Sequence, residues 1–138
     1  MRRSTLSILV LLAAPTVVAM TLAGAPRVAA QAPDAVAHTQ WMNDASDAQE
    51  DYRFAVSDKN QKAAVEALAK LESLMARTED YWTVRKSADG VKLTKAARAS
   101  AAQAGAAANR GDLAAASTAF DAMSTSCNAC HELHLERK

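Results

Sequence analysis

Beyond residue 33, apolar positions recur at steps of three and four residues, and no alternating β-branched run interrupts them. That is the period of an amphipathic helix. The first segment runs from Asp34 to Val56, with His38, Trp41, Ala45, Ala48, Tyr52 and Ala55 on one seam. Ser57 and Asp58 break it, and Asp58 followed by Gln61 reads as a capping box for a second helix. That helix carries Ala64, Leu68, Leu71 and Met75 on one face and is expected to end at Thr78 to Tyr81, leaving Trp82 to Asp89 as a connection. A third helix starts close to Gly90, places Leu93, Ala97, Ser100, Ala104 and Ala107 on a narrow face, and stops at Asn109-Arg110-Gly111. Asp112 can cap the fourth. Its seam is the clearest in the chain: Leu113, Ala116, Phe120, Met123, Cys127, Cys130 and His134. Short connections between successive helices favour antiparallel neighbours, so the expected fold is all-α, an up-down-up-down four-helix bundle.

Residues 1–30 follow a different pattern. A positive Met1-Arg2-Arg3 start, an apolar run from Leu6 to Ala25 and the small residues Val28-Ala29-Ala30 read as a secretory signal cleaved after Ala30. The alternative is an uncleaved anchor, since the run approaches the roughly 20 residues that cross a bilayer; Pro15, Gly24 and the small-residue exit favour cleavage and no stable membrane span afterwards. Residues 31–138 form one domain by length. Within them thirteen Lys and Arg face fifteen Asp and Glu, a net charge of −2 with His neutral, which argues against a nucleic-acid partner. The Ala-rich stretch from Ala96 to Ala108 reads as helix with a small-side-chain face, since Ala has the best helix propensity.

Bulk is scarce. The domain holds seven Leu, five Val, no Ile, three Met and six aromatic Phe, Trp and Tyr residues. Small chains with so lean a core commonly need a staple or a cofactor.

Cys127-Asn128-Ala129-Cys130-His131 supplies that cofactor's signature. Two thiols at i and i+3 and an imidazole four residues after the first project to one side of a helix. They match what one covalent haem c requires: two thioethers to its vinyl groups and a proximal nitrogen to its iron from His131. Every cysteine of the chain is used by the motif. A structural zinc site would need four ligands, and no second Cys or His pair stands at suitable spacing. A thioredoxin-type dithiol would need a βαβ context that is absent, and three-residue spacing within a helix is awkward for a disulfide.

Together, the export-type start, the four helices and Cys-x-x-Cys-His on the last of them resemble the class II c-type cytochromes, the cytochrome c′ family, over residues 31–138. The resemblance implies haem attachment to the last helix through Cys127 and Cys130, His131 as proximal ligand, and a first-helix residue on the other side of the iron. It also admits a homodimer through the first two helices, while the export-type start implies a periplasmic location if the source is a Gram-negative bacterium. Two positions depart from the family pattern. His134 and Leu135 stand where an aromatic residue and Arg are common, and His38 stands where Arg is common.

For the sixth iron position Met42 is the leading candidate. It lies early in helix one beside the seam, a thioether is a normal axial ligand, and low-spin members of the class use a helix-one Met. Core filling by Met42, ligation by His38 one turn earlier, and an open position remain the alternatives. Met75 and Met123 sit on internal seams and read as core, while Trp41, Tyr52, Trp82 and Phe120 can line the haem or simply pack. The expected function is an exported one-electron carrier serving a redox partner protein. The alternatives are a five-coordinate protein that binds nitric oxide or carbon monoxide, and a bundle in which the haem is structural. No nucleophile beside a base and no paired carboxylates suggest an enzyme.

Overall fold

A computed structural model of the chain describes residues 34–134. The expected leader at 1–30 and Leu135 lie outside the described residues. Four helices follow in order: α1 (Ala35–Ser57), α2 (Gln61–Val84), α3 (Ala88–Asn109) and α4 (Leu113–His134). Among the described residues, no helix is long and apolar enough to cross a membrane.

Three-residue connections join the helices, and all three have one form. The middle residue takes a left-handed conformation: Lys59 at φ 55°, Lys86 at φ 56° and Gly111 at φ 81°. The amide that follows it reaches five residues back, Asn60 N–H to the Ala55 carbonyl (2.8 Å), Ser87 to Trp82 (3.1 Å) and Asp112 to Ala107 (3.1 Å). This is the Schellman closure, which satisfies carbonyls left over at a helix end. The third residue of each connection then caps the next helix. Asn60 accepts from Ala63 N–H at 3.1 Å, Ser87 from Gly90 at 3.2 Å and Asp112 from Ala115 at 2.9 Å. Asp34 caps α1 in the same way, through Ala37 N–H at 2.7 Å.

This geometry corrects two expectations. Asp58 does not cap α2; it closes α1, and Asn60 is the cap. Gln61 has no capping-box role either, because its amide donates instead to the Ala108 and Asn109 carbonyls (2.9 and 3.2 Å), tying the start of α2 to the end of α3. The second helix also runs past Tyr81 to Val84, so Trp82 is helical and the connection shrinks to 85–87. Thr78 and Thr83 turn their hydroxyls back onto the Leu74 and Glu79 carbonyls, which accommodates β-branched residues in that last stretch. Asp112 caps α4 as expected.

Connections this short force antiparallel neighbours, and backbone contact is closest between successive helices. Alanine makes this possible on α3, where Ala97, Ala101, Ala104, Ala107 and Ala108 are all buried. Across the bundle, α1 and α4 meet through large side chains. The Tyr52 and Phe120 rings stack at 4.4 Å, the Tyr52 hydroxyl lies 3.3 Å from Ser117 Oγ, and the Arg53 guanidinium sits 5.2 Å from the Phe120 ring centroid. With Leu68, Leu71 and Met123, fully buried, these fill the centre of the bundle.

The topology gathers one set of helix ends: the start of α1, the end of α2, the start of α3 and the end of α4. There the filling changes. Thr78, Thr94 and Ala97 occupy interior positions in place of bulky side chains, and a cavity of about 430 Å³ opens among all four helices.

Candidate functional site

The seam of α4 carries Cys127 and Cys130 to the inner side of its last turns, where Cys127 is half-buried and Cys130 buried. His131 is exposed, yet its side chain reaches the cavity edge. Met42, half-buried on α1, lines the same cavity, and so does His38 one turn before it. The residues singled out from the sequence, Cys127, Cys130, His131 and Met42, are therefore brought around one space. Met75, expected as core, is both buried and part of the cavity wall, while Met123 is core alone. Trp82 lines the cavity; Trp41, Tyr52 and Phe120 do not, because they pack against the interior of the bundle.

Electrostatics separate this pair of thiols from a reactive dithiol. Burial, with the neighbouring Cys130 as a smaller cause, pushes the Cys127 thiol up to about 11, and burial raises Cys130 as well. Redox-active Cys-x-x-Cys pairs depend on a thiol lowered by cations or a helix N-terminus. Here the thiols sit in the last turns of a helix, at the end whose dipole disfavours a thiolate. Among the described residues no three His, Cys, Asp or Glu side chains converge on a common centre. Cys127, Cys130 and His131 thus follow one another along one helix and form no closed metal cage among the described residues.

One wall of the cavity was only partly legible from the sequence. The His38 imidazole lies flat on Tyr81, with ring centroids 3.9 Å apart and planes 9° from parallel. Trp82 meets Tyr81 at 4.9 Å, His38 at 5.5 Å and His134 at 4.3 Å. Above Tyr81 sits the Arg85 guanidinium, 3.6 Å from the ring centroid, a cation–π contact. Burial, then the positive charge of Arg85 and that of His131, hold His38 below its ordinary value and favour the neutral imidazole. Gly90 makes room for this wall: a Cβ there would fall 2.6 Å from Trp82 Cγ and Cδ2. Reading Tyr81 as a helix end and Trp82 as connection hid the group, and a glycine inside the first turn of α3 was its one local signal.

The arrangement fits a covalently held haem. Two thiols one turn apart face the cavity, an imidazole stands beside them, a thioether lies on another helix, and apolar groups supply much of the remaining wall. Ligand cavities typically begin at about 300 Å³, so the space is of a size to enclose a cofactor or a large part of one. The Cys-x-x-Cys-His arrangement on the last helix of a four-helix bundle matches a haem c attachment site. No protein-family model, curated protein or solved structure matches this chain.

Proposed function

We propose that this chain is an exported monohaem cytochrome of the class II type that carries single electrons between partner proteins in the periplasm. The observation that carries the proposal is that Met42 on α1 lines the same cavity as Cys127, Cys130 and His131 on α4. On this reading the haem, when bound, supplies a one-electron iron couple.

The protein's own residues then divide the work. Cys127 and Cys130 would hold the haem through thioethers, and His131 would offer its imidazole nitrogen to the iron. Met42 would offer a thioether sulfur, which would raise the reduction potential relative to a second imidazole. Buried Met75, Leu93 at the cavity edge and Ala97 keep water from the interior face. His131 at the surface marks where an edge of the group would lie near a redox partner. Electrons pass, and no substrate is turned over. The export-type start at 1–30 agrees with a periplasmic location in a Gram-negative source, and the charge balance agrees with a protein partner rather than nucleic acid.

The absorption and magnetic-resonance spectra of the purified protein test this. Six-coordinate low-spin iron is expected, with its thioether signature lost in Met42→Ala. High-spin iron in the unmutated protein would sink the carrier assignment. Carbon monoxide binding with no ligand to displace would then support the gas-binding reading.

A further inference from the structure

Four buried side-chain polar atoms lack a partner among the described residues, and three of them belong to one wall of the cavity: His38 Nε2, Trp82 Nε1 and His134 Nε2. Buried donors and acceptors in folded proteins are almost always paired, since an unpaired one forfeits its hydration for nothing. Three orphans on one wall call for a partner that the described residues do not supply. They come from α1, α2 and α4, far apart in sequence, and Trp82 joins them as the hub, in ring contact with both histidines.

The chemistry of that partner can be narrowed. An indole N–H only donates, so Trp82 requires an acceptor. Each histidine also donates from Nε2 when its proton sits there, a state that a neighbouring anion favours. Arg85 brings a positive charge close enough to act on His38. Near-parallel stacking of His38 on Tyr81 and the close approach of Trp82 to Gly90 hold the rings in place.

We propose that His38, Trp82 and His134 form a carboxylate-binding wall, and that its occupants are the two propionate carboxylates of the haem attached at Cys127 and Cys130. The second half rests on the haem reading above. It also assigns His38 a role other than the iron ligand. A free small carboxylate would satisfy the same donors, so the two sources must be told apart.

The test uses the full haem-loaded protein in its reduced state. Indole N–H resonances are recorded while acetate is added, with Trp82→Phe identifying the Trp82 signal against Trp41, and carboxylate bands are recorded by redox-difference infrared spectroscopy. The expected results are a Trp82 N–H signal that acetate does not move, a shifted propionate band in Trp82→Phe and in His134→Phe, and a lower reduction potential in both, with the axial-ligand spectrum unchanged. A purely structural role for the rings would leave the carboxylate band in place. If acetate moves the Trp82 signal in a saturable way, the wall binds carboxylate but from solution, and the propionate assignment is overturned. If neither acetate nor the two variants changes anything, the whole proposal falls. Should the purified chain carry no haem, the haem reading fails by itself, and the acetate titration still decides whether the wall binds carboxylates.

Discussion

Replacing Gly90 with alanine should destabilise the protein even though alanine is the better helix former. Gly90 lies in the first turn of α3 and is buried. Relieving the glycine penalty in a helix would contribute about 1 kcal/mol of stability. Against that, the new Cβ would stand 2.6 Å from Trp82 Cγ and Cδ2 and 3.0 Å from Ser87 Oγ, whereas carbon atoms in contact prefer about 3.5–4.0 Å. The indole must retreat by roughly 1 Å, with Tyr81, His134 and His38 around it. Overpacking of this kind costs about 1–3 kcal/mol, and disturbing the Ser87 cap on Gly90 N–H adds part of a cap's ~1 kcal/mol. The net expectation is a loss of about 1–2 kcal/mol, read from urea denaturation followed by far-ultraviolet circular dichroism. A double-mutant cycle with Trp82→Ala isolates the cause. With the indole gone, Gly90→Ala should reverse sign and stabilise by about 0.5–1 kcal/mol. Equal effects of Gly90→Ala in the two backgrounds would refute the argument.

Two further outcomes follow from the local geometry. Lys59 and Lys86 hold left-handed backbones that cost a side chain-bearing residue about 1 kcal/mol each, so Lys59→Gly and Lys86→Gly should each raise the denaturation midpoint, and Gly111→Ala should lower it. In protein without attached haem, the folded Cys127 thiol is raised from 9.0 to about 11. A raised thiol favours the neutral form when folded, so its contribution is fully present below pH 9 and is lost as pH rises towards about 11, by at most roughly 3 kcal/mol. Denaturation curves of Cys127→Ala measured alongside should show a smaller decline, the remainder coming from groups such as Cys130 that burial also raises; a decline of the same size in both would remove Cys127 as its source.

What could be read from the sequence tracks how each helix end is made. The turn between α3 and α4 was legible because its left-handed residue is Gly111, the residue type that advertises such a stop, and Asp112 follows as a recognisable cap. The same turn built with Lys59 or Lys86 gives no such advertisement. Asp58 and Gln61 mimic a cap there, and the end of α2 at Val84 carries no marker of its own. The seam of α4 was legible in full, since Phe120 and Met123 are large enough to mark a face. On α3 the interior side is Thr94, Ala97, Ala101 and Ala104, and alanines on nearly every turn leave the direction of the face weakly marked; Ser100, expected inside, is only half-buried. Cys127, Cys130, His131 and Met42 stand out in the sequence because each bears distinctive chemistry. The link between His38, Trp82 and His134 does not, because only the packing of α1, α2 and α4 brings positions so distant to one end.

The lean composition acquires a location from the structure. Tyr52, Leu68, Leu71, Phe120 and Met123 pack the centre of the bundle without help. At the cavity end Thr78, Thr94 and Ala97 are small, Met75 is the bulky side chain buried in the wall, and the Trp82 ring, backed by Tyr81, lines the space instead of filling it. Interiors normally tolerate few voids larger than a water molecule, and surrounding side chains collapse only partly into a space left open. A void of about 430 Å³ ringed by two thiols, an imidazole and three unpaired ring nitrogens is therefore not a shortfall of core spread over the chain. It is a gap among the four helices at one end of the bundle, of a size to take an occupant. On the haem reading, the group that carries the electron also supplies the packing that these helix ends lack, and the central core holds the four helices in register for it.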